Sequence, residues 1–220
     1  MTSGPVEHPP GTEDPYPLTF SVDHPDRALN RLSTAFRLIL IIPIAVLLST
    51  LEGGSFALNA GNESANYAVG GIGVLVLPVL LMLLFRRKYP RWWYDWNLQL
   101  TRFSNRVSVY LALMDDRYPS TDEEQSVHLD VPYPDAGREL SRGLPLVKWL
   151  LAIPHYIVLF FLGIGAIVAT ILAWFAILFT GRYPRSLFTY VEGVLRWSNR
   201  VAAYAFLLVT DRYPPFQLRP

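Results

Sequence analysis

Gly181-Arg182-Tyr183-Pro184-Arg185 closes a long uncharged run and opens an amphipathic one, and Arg86-Arg87-Lys88-Tyr89-Pro90-Arg91 does the same in the first half of the chain. Working outward from these two corners, Arg102-Phe103-Ser104-Asn105-Arg106-Val107 aligns without a gap with Arg196-Trp197-Ser198-Asn199-Arg200-Val201. Tyr110 aligns with Tyr204. The two stretches end alike, on Asp116-Arg117-Tyr118-Pro119 and Asp211-Arg212-Tyr213-Pro214. The pattern is that of an internal duplication, with repeat 1 over 18–119, an acidic linker over 120–126 and repeat 2 over 127–220.

Each copy begins with alternating apolar and polar residues, Leu18-Thr19-Phe20-Ser21-Val22 and Val127-His128-Leu129-Asp130-Val131. Such alternation predicts short strands. A cationic pair follows in each copy, Arg27 and Arg31, then Arg138 and Arg142. Next come uncharged stretches that read as membrane helices, over about 36–51 and 67–85 in repeat 1. In repeat 2 every residue from Trp149 to Thr180 is uncharged with His155 neutral, a run too long for one ordinary span of about 20 residues. It is expected to fold back at Gly163 and Gly165, giving legs over about 147–162 and 165–180. The loop Glu52–Asn66 of repeat 1 is polar and free of Lys and Arg. The positive-inside rule puts that loop outside and both chain termini in the cytoplasm.

The composition agrees with a membrane solvent. Of the 220 residues 51% are hydrophobic, and the net charge of +1 hides an uneven distribution in which Lys and Arg avoid two long regions; no nucleic-acid partner is expected. The absence of cysteine removes disulfides, thiol nucleophiles and thiolate metal sites. Residues 1–17 carry five prolines with Glu7, Glu13 and Asp14, and are predicted to form a disordered or partner-bound tail.

After each basic corner, apolar residues recur at helix spacing: Trp96, Leu100, Phe103, Val107, Tyr110 and Met114, then Tyr190, Val194, Trp197, Val201, Tyr204 and Leu208. Amphipathic helices are predicted over about 91–114 and 186–209, each started by a proline. Their roles are open between packing beneath the membrane helices, lying on lipid and contacting another subunit. The cations at the corners and along the opposite stripe, Arg86, Arg87, Lys88, Arg91, Arg182 and Arg185 with Arg102, Arg106, Arg196 and Arg200, are candidates for anionic lipid headgroups. His155 is the one ionisable group inside a predicted membrane leg away from its ends, and its counterpart in repeat 1 is Ile44. Asp115 and Asp116 read with Asp122, Glu123 and Glu124 as solvated acidic clusters. No phosphate loop, zinc-protease motif, nucleophile elbow or Ser/His/Asp arrangement occurs, so no catalytic, cofactor or metal residue is expected.

The motifs Ile153-Pro154-His155, Phe179-Thr180-Gly181-Arg182-Tyr183-Pro184-Arg185, Val194-Leu195-Arg196-Trp197 and Thr210-Asp211-Arg212-Tyr213-Pro214-Pro215-Phe216 resemble an actinobacterial membrane family catalogued as domain of unknown function 4389. The resemblance runs over nearly the whole chain after residue 17, more cleanly in the second half. It implies a bacterial plasma membrane location and a tandem architecture, and brings no established activity. The sequence therefore predicts an all-α integral membrane protein with four membrane helices in two tandem hairpins, each hairpin followed by a cytoplasmic interfacial helix. The expected function is non-enzymatic: an accessory or scaffolding subunit contacting membrane lipids and other membrane subunits. The alternative is a small transporter or channel for a lipid or uncharged solute between the repeats.

Overall fold

The computed structural model describes residues 16–25, 27–44, 71–86, 88–121, 123, 125–138, 140, 141 and 143–220. The tail over 1–15, the loop over 52–66 and the first leg beyond residue 44 lie outside the described residues. Among the described residues the fold is mostly helical, with one two-stranded sheet. Strand β1, Thr19–Val22, buries Phe20 and Val22, and strand β2, Val127–Asp130, buries Val127 and Leu129. The two pair antiparallel with Thr19 opposite Asp130 and Val22 opposite Val127, so the two predicted strands form a single ladder.

Helix α1, Arg31–Ala35, is capped by Asn30, whose Oδ1 accepts from the backbone N–H of Leu32 at 3.0 Å and of Ser33 at 3.3 Å. The short α2, Arg37–Leu40, follows, and α3, Gly71–Arg86, is the described part of the second predicted leg. Helix α4, Arg91–Leu111, and helix α7, Arg185–Ala205, are the two amphipathic helices, each beginning directly after a proline in extended conformation. Both end earlier than the apolar periodicity suggests. Leu113 and Leu208 stand in the left-handed region, with φ of 64° and 57°. That conformation costs a branched side chain about 1–2 kcal/mol, and both leucines occupy it while buried in the core.

The second predicted hairpin does not form. After a short α5, Lys148–Leu151, the run Ile153–Thr180 is one continuous helix, α6, of 28 residues. Gly163 and Gly165 lie inside it and make no turn. A fold-back there would free several backbone N–H and C=O groups among Phe, Leu and Ile, in a stretch without the Asn, Asp or Ser that bond the backbone of turns. Gly165 serves close packing instead: a Cβ at this position would collide with the Tyr190 hydroxyl, which donates to the Leu162 carbonyl at 3.0 Å. The helix stops at Gly181, whose φ of 75° suits a residue without a side chain.

Helices α4 and α7 meet at a buried amide pair. Asn105 Nδ2 donates to Asn199 Oδ1 at 2.8 Å, and Asn199 Nδ2 returns the bond to Asn105 Oδ1 at 2.7 Å. On one side of this layer the strands are held crosswise. Arg102 Nε donates to the Leu129 carbonyl of β2 and Arg196 Nε to the Phe20 carbonyl of β1, both at 2.9 Å. Sequence-matched anchors recur at the chain reversals. Arg37 Nη1 reaches the Tyr110 and Asp115 carbonyls beneath the Tyr110 ring, and Lys148 Nζ reaches the Thr210 carbonyl at 2.7 Å beside Tyr204.

Replacing Asn105 alone by Leu strands the Asn199 amide, and the expected loss is about 2 kcal/mol. Converting both asparagines to Leu should recover most of it, as read by denaturant unfolding in mild detergent. Losses that simply add would show that the pair is not coupled.

Candidate functional site

Helix α6 spans about 42 Å at 1.5 Å per residue, and is long and apolar enough to cross a membrane. Its side chains divide cleanly. Ile157, Phe160, Phe161, Ile164, Val168, Ile171, Leu172, Phe175 and Phe179 recur at three- and four-residue intervals and are exposed. His155, Ala169, Ala173 and Ile177 mark the opposite stripe and are buried, from near the first turn to near the last.

The buried stripe is held along its full length. Helix α7 returns antiparallel beside the first part, with Trp197 Nε1 donating to His155 Nδ1 at 3.1 Å and Tyr190 bonding Leu162. At the start of this reversal Lys148 Nζ stands 2.7 Å from the Asp211 carboxylate. The later part of α6 packs on α1, where Trp174 Nε1 donates to the Thr34 carbonyl at 3.2 Å and Leu29 N–H to the Gly181 carbonyl at 2.9 Å. The helix therefore lies along the body and does not project from it. Exposed Leu32, Phe36 and Ile39 on and beside α1 and α2 extend the apolar surface, with Trp149 at the other end of α6. Together they form an exposed apolar surface, a feature that marks membrane or protein contact when it is large and contiguous.

Of the proposed headgroup cations, Arg86, Lys88, Arg91, Arg182 and Arg185 are exposed. Arg91 also lies over the Tyr133 ring, and Arg87 is outside the described residues. The cations on the amphipathic helices are a correction. Arg106, Arg196 and Arg200 are buried, and Arg102 is half-buried. They bond protein, not lipid: Arg106 the Ser120 carbonyl, Arg196 the Phe20 and Leu218 carbonyls and the Glu192 carboxylate, and Arg200 the Arg219 carbonyl. Buried carbonyls left by the strands and the C-terminal segment need donors, and a guanidinium offers five in a fixed fork.

His155 is enclosed by aromatic rings, stacked on Phe216 at 4.0 Å and edge-on to Trp197. Because the Trp197 N–H donates to Nδ1, the imidazole is the neutral tautomer with its proton on Nε2. Among the described residues no three His, Asp or Glu side chains converge as metal ligands. His155 takes the place in the second half that Ile44 has in the first, and its buried Nε2 has no hydrogen-bond partner among the described residues.

Asp115 also departs from expectation, being buried where a solvated acidic cluster was predicted. Burial alone would raise its pKa. The Ser126 hydroxyl at 2.6 Å and the backbone N–H and guanidinium of Arg117 outweigh that and hold it below its ordinary value of 3.8. A carboxylate with a depressed folded pKa stabilises the fold above the unfolded value and loses that contribution as pH falls through the folded one. The melting temperature should therefore drop below about pH 3.8. An Asp115→Asn variant, less stable at neutral pH, should show a shallower drop over the same interval.

Residues 145–217 match the model of a family described as Domain of unknown function (DUF4389). The match is confined to the second half and takes in α6, the Gly181–Arg185 corner and α7. No curated protein and no solved structure matches the chain.

Proposed function

We propose that the protein is a non-enzymatic accessory or scaffolding component of a bacterial plasma membrane, attached through the outer face of α6 lying in the plane of the cytoplasmic leaflet. The observation that carries this reading is the division of α6 into an exposed apolar stripe and a stripe bonded to the body from end to end. If α6 stood upright, α7 beside it would take Glu192, Arg196 and Arg200 through the hydrocarbon. Insertion scales put each at about 2.5–3.5 kcal/mol at the membrane centre. A helix lying flat needs no such passage, and its flanking cations Lys148 and Arg182 stay on one side. The apolar legs over 36–51 and 67–85 add a crossing and return, with the loop over 52–66 outside and both termini cytoplasmic.

The sequence-matched anchors support reading the two halves as copies of one unit that exchange their strand contacts. The exposed apolar stripe is wide enough to be shared between acyl chains and a membrane partner subunit. The exposed Arg182 and Arg185, with Lys88 and Arg91, are the contacts to anionic headgroups. A second reading, passage of a lipid or uncharged solute between the halves, is favoured by an uncharged cavity between α4 and α7.

The cysteine-free chain allows a direct test. Single cysteines at Ile157→Cys, Ile164→Cys, Ile171→Cys and Phe179→Cys, labelled with a fluorophore, should be quenched by brominated lipids at one common depth, about 5–10 Å below the headgroups. A depth profile deepest in the middle and shallow at both ends would mean a crossing helix and would sink the in-plane reading. Arg182→Gln and Arg185→Gln should each weaken partition into anionic vesicles about fivefold and leave binding to zwitterionic vesicles unchanged.

A further inference from the structure

A cavity of about 360 Å³ opens between α4 and α7, a size ordinary for small-ligand sites. It lies on the side of the helix layer away from the strands. Arg102 and Arg106 leave α4 toward the Leu129 and Ser120 carbonyls, whereas Asn97, Thr101, Ser104 and Ser108 occupy the opposite stripe and line the cavity. Leu195 of α7, Phe206 just beyond its end and Val79 of the apolar helix α3 supply the walls. No charged side chain is among the described lining residues.

The hydrogen bonds along this lining select for a particular chemistry. Thr101 Oγ1 donates to the Asn97 carbonyl at 2.8 Å and Ser108 Oγ to the Ser104 carbonyl at 2.9 Å. Both Nδ2 protons of Asn105 are engaged, by Asn199 Oδ1 and the Thr101 carbonyl, and both of Asn199, by Asn105 Oδ1 and the Leu195 carbonyl. These donors point back into their own helix layer. Toward the cavity the Thr101 and Ser108 hydroxyls keep acceptor capacity, beside the Ser198 hydroxyl and the Asn97 amide, and the lining is polar without charge. A neutral alcohol, which both donates and accepts, suits such a lining. An anionic group would find no counter-charge there, and its loss of hydration would go uncompensated.

We propose that this cavity binds a neutral lipid with a free hydroxyl, of the diacylglycerol class, its glycerol end between α4 and α7 and its acyl chains leaving past Val79 on the apolar side. The proposal rests on the membrane-surface reading, because the ligand reaches the cavity from the leaflet. It gives the second reading its substrate class.

The test uses the full chain in mild detergent, with dioleoylglycerol, its acetyl ester at the free hydroxyl and dioleoyl phosphatidic acid as probes, retention being read by native mass spectrometry. Dioleoylglycerol should be retained at least tenfold better than the acetyl ester, which cannot donate, and phosphatidic acid should not compete. Filling the cavity with Thr101→Leu and Ser108→Leu together should abolish retention. Should that variant fail to fold, Thr101→Val keeps the volume and should weaken retention about three- to tenfold, with Thr101→Ser restoring it. Equal retention of the alcohol and its ester, or retention undiminished in Thr101→Val, overturns the proposal. Partition into vesicles, measured in parallel, separates the two readings: a chain that attaches to vesicles without preferring the alcohol refutes the cavity site alone, and one that does not attach refutes the membrane reading.

Discussion

Arg196 reaches the Phe20 carbonyl with Nε, the Leu218 carbonyl with Nη1 and the Glu192 carboxylate with Nη2, and with these three bonds it fixes which way α7 faces. Glu192 in turn accepts from the Val22 N–H, so strand, helix and C-terminal segment share one buried charge pair. With its polar stripe turned to the strands, α7 can offer α6 only its aromatic stripe of Tyr190, Trp197 and Tyr204. The inner face of α6 is then committed to those rings and to α1, and among the described residues nothing covers its outer face. The exposed apolar stripe thus follows from an arginine on the far side of a neighbouring helix. A buried pair of this kind adds little net stability compared with an apolar equivalent, but removing one partner is strongly destabilising. Its value here lies in orientation.

The sequence disclosed the element types well and their partners poorly. Alternation at Leu18–Val22 and Val127–Val131 was enough to place both strands, and the 3.6-residue period placed α4 and α7 within a few residues. That β1 pairs with β2, across more than a hundred intervening residues, is decided by the crosswise arginines and leaves no local mark. The helix ends were misjudged for a similar reason. Apolar periodicity runs on through Met114 and Leu208, while the backbone has already turned left-handed at Leu113 and Leu208 to bring the Asp115 and Thr210 carbonyls to Arg37 and Lys148.

Backbone freedom alone singles out Gly163 and Gly165 for a turn in α6, where the deciding quantity is what a turn would do with the backbone groups it releases. In a run without Asn, Asp or Ser those groups have no local partner, and the helix continues. The cations were misread in the complementary way. On a helix wheel Arg106, Arg196 and Arg200 form a solvent-facing stripe, and only the tertiary structure reveals that strand and tail carbonyls wait on that side. Asn105 and Asn199 were visible as aligned letters, yet nothing in either segment says that they bond each other.

The two halves also differ in how closely their helices meet. Helix α6 is in close register with α7, with Gly165 allowing Tyr190 to approach and His155 accepting from Trp197. Its counterpart α3 lies at the edge of the cavity through Val79, and in the first half Ile44 joins the apolar cluster around Phe103 and Tyr110 where the second half has a histidine bonded to tryptophan. The contact is tight on one side of the Asn105–Asn199 pair and open on the other. The asymmetry belongs to the same physical account as the apolar stripe: one half seals against its own helix and presents a surface, and the other leaves a cavity between helices.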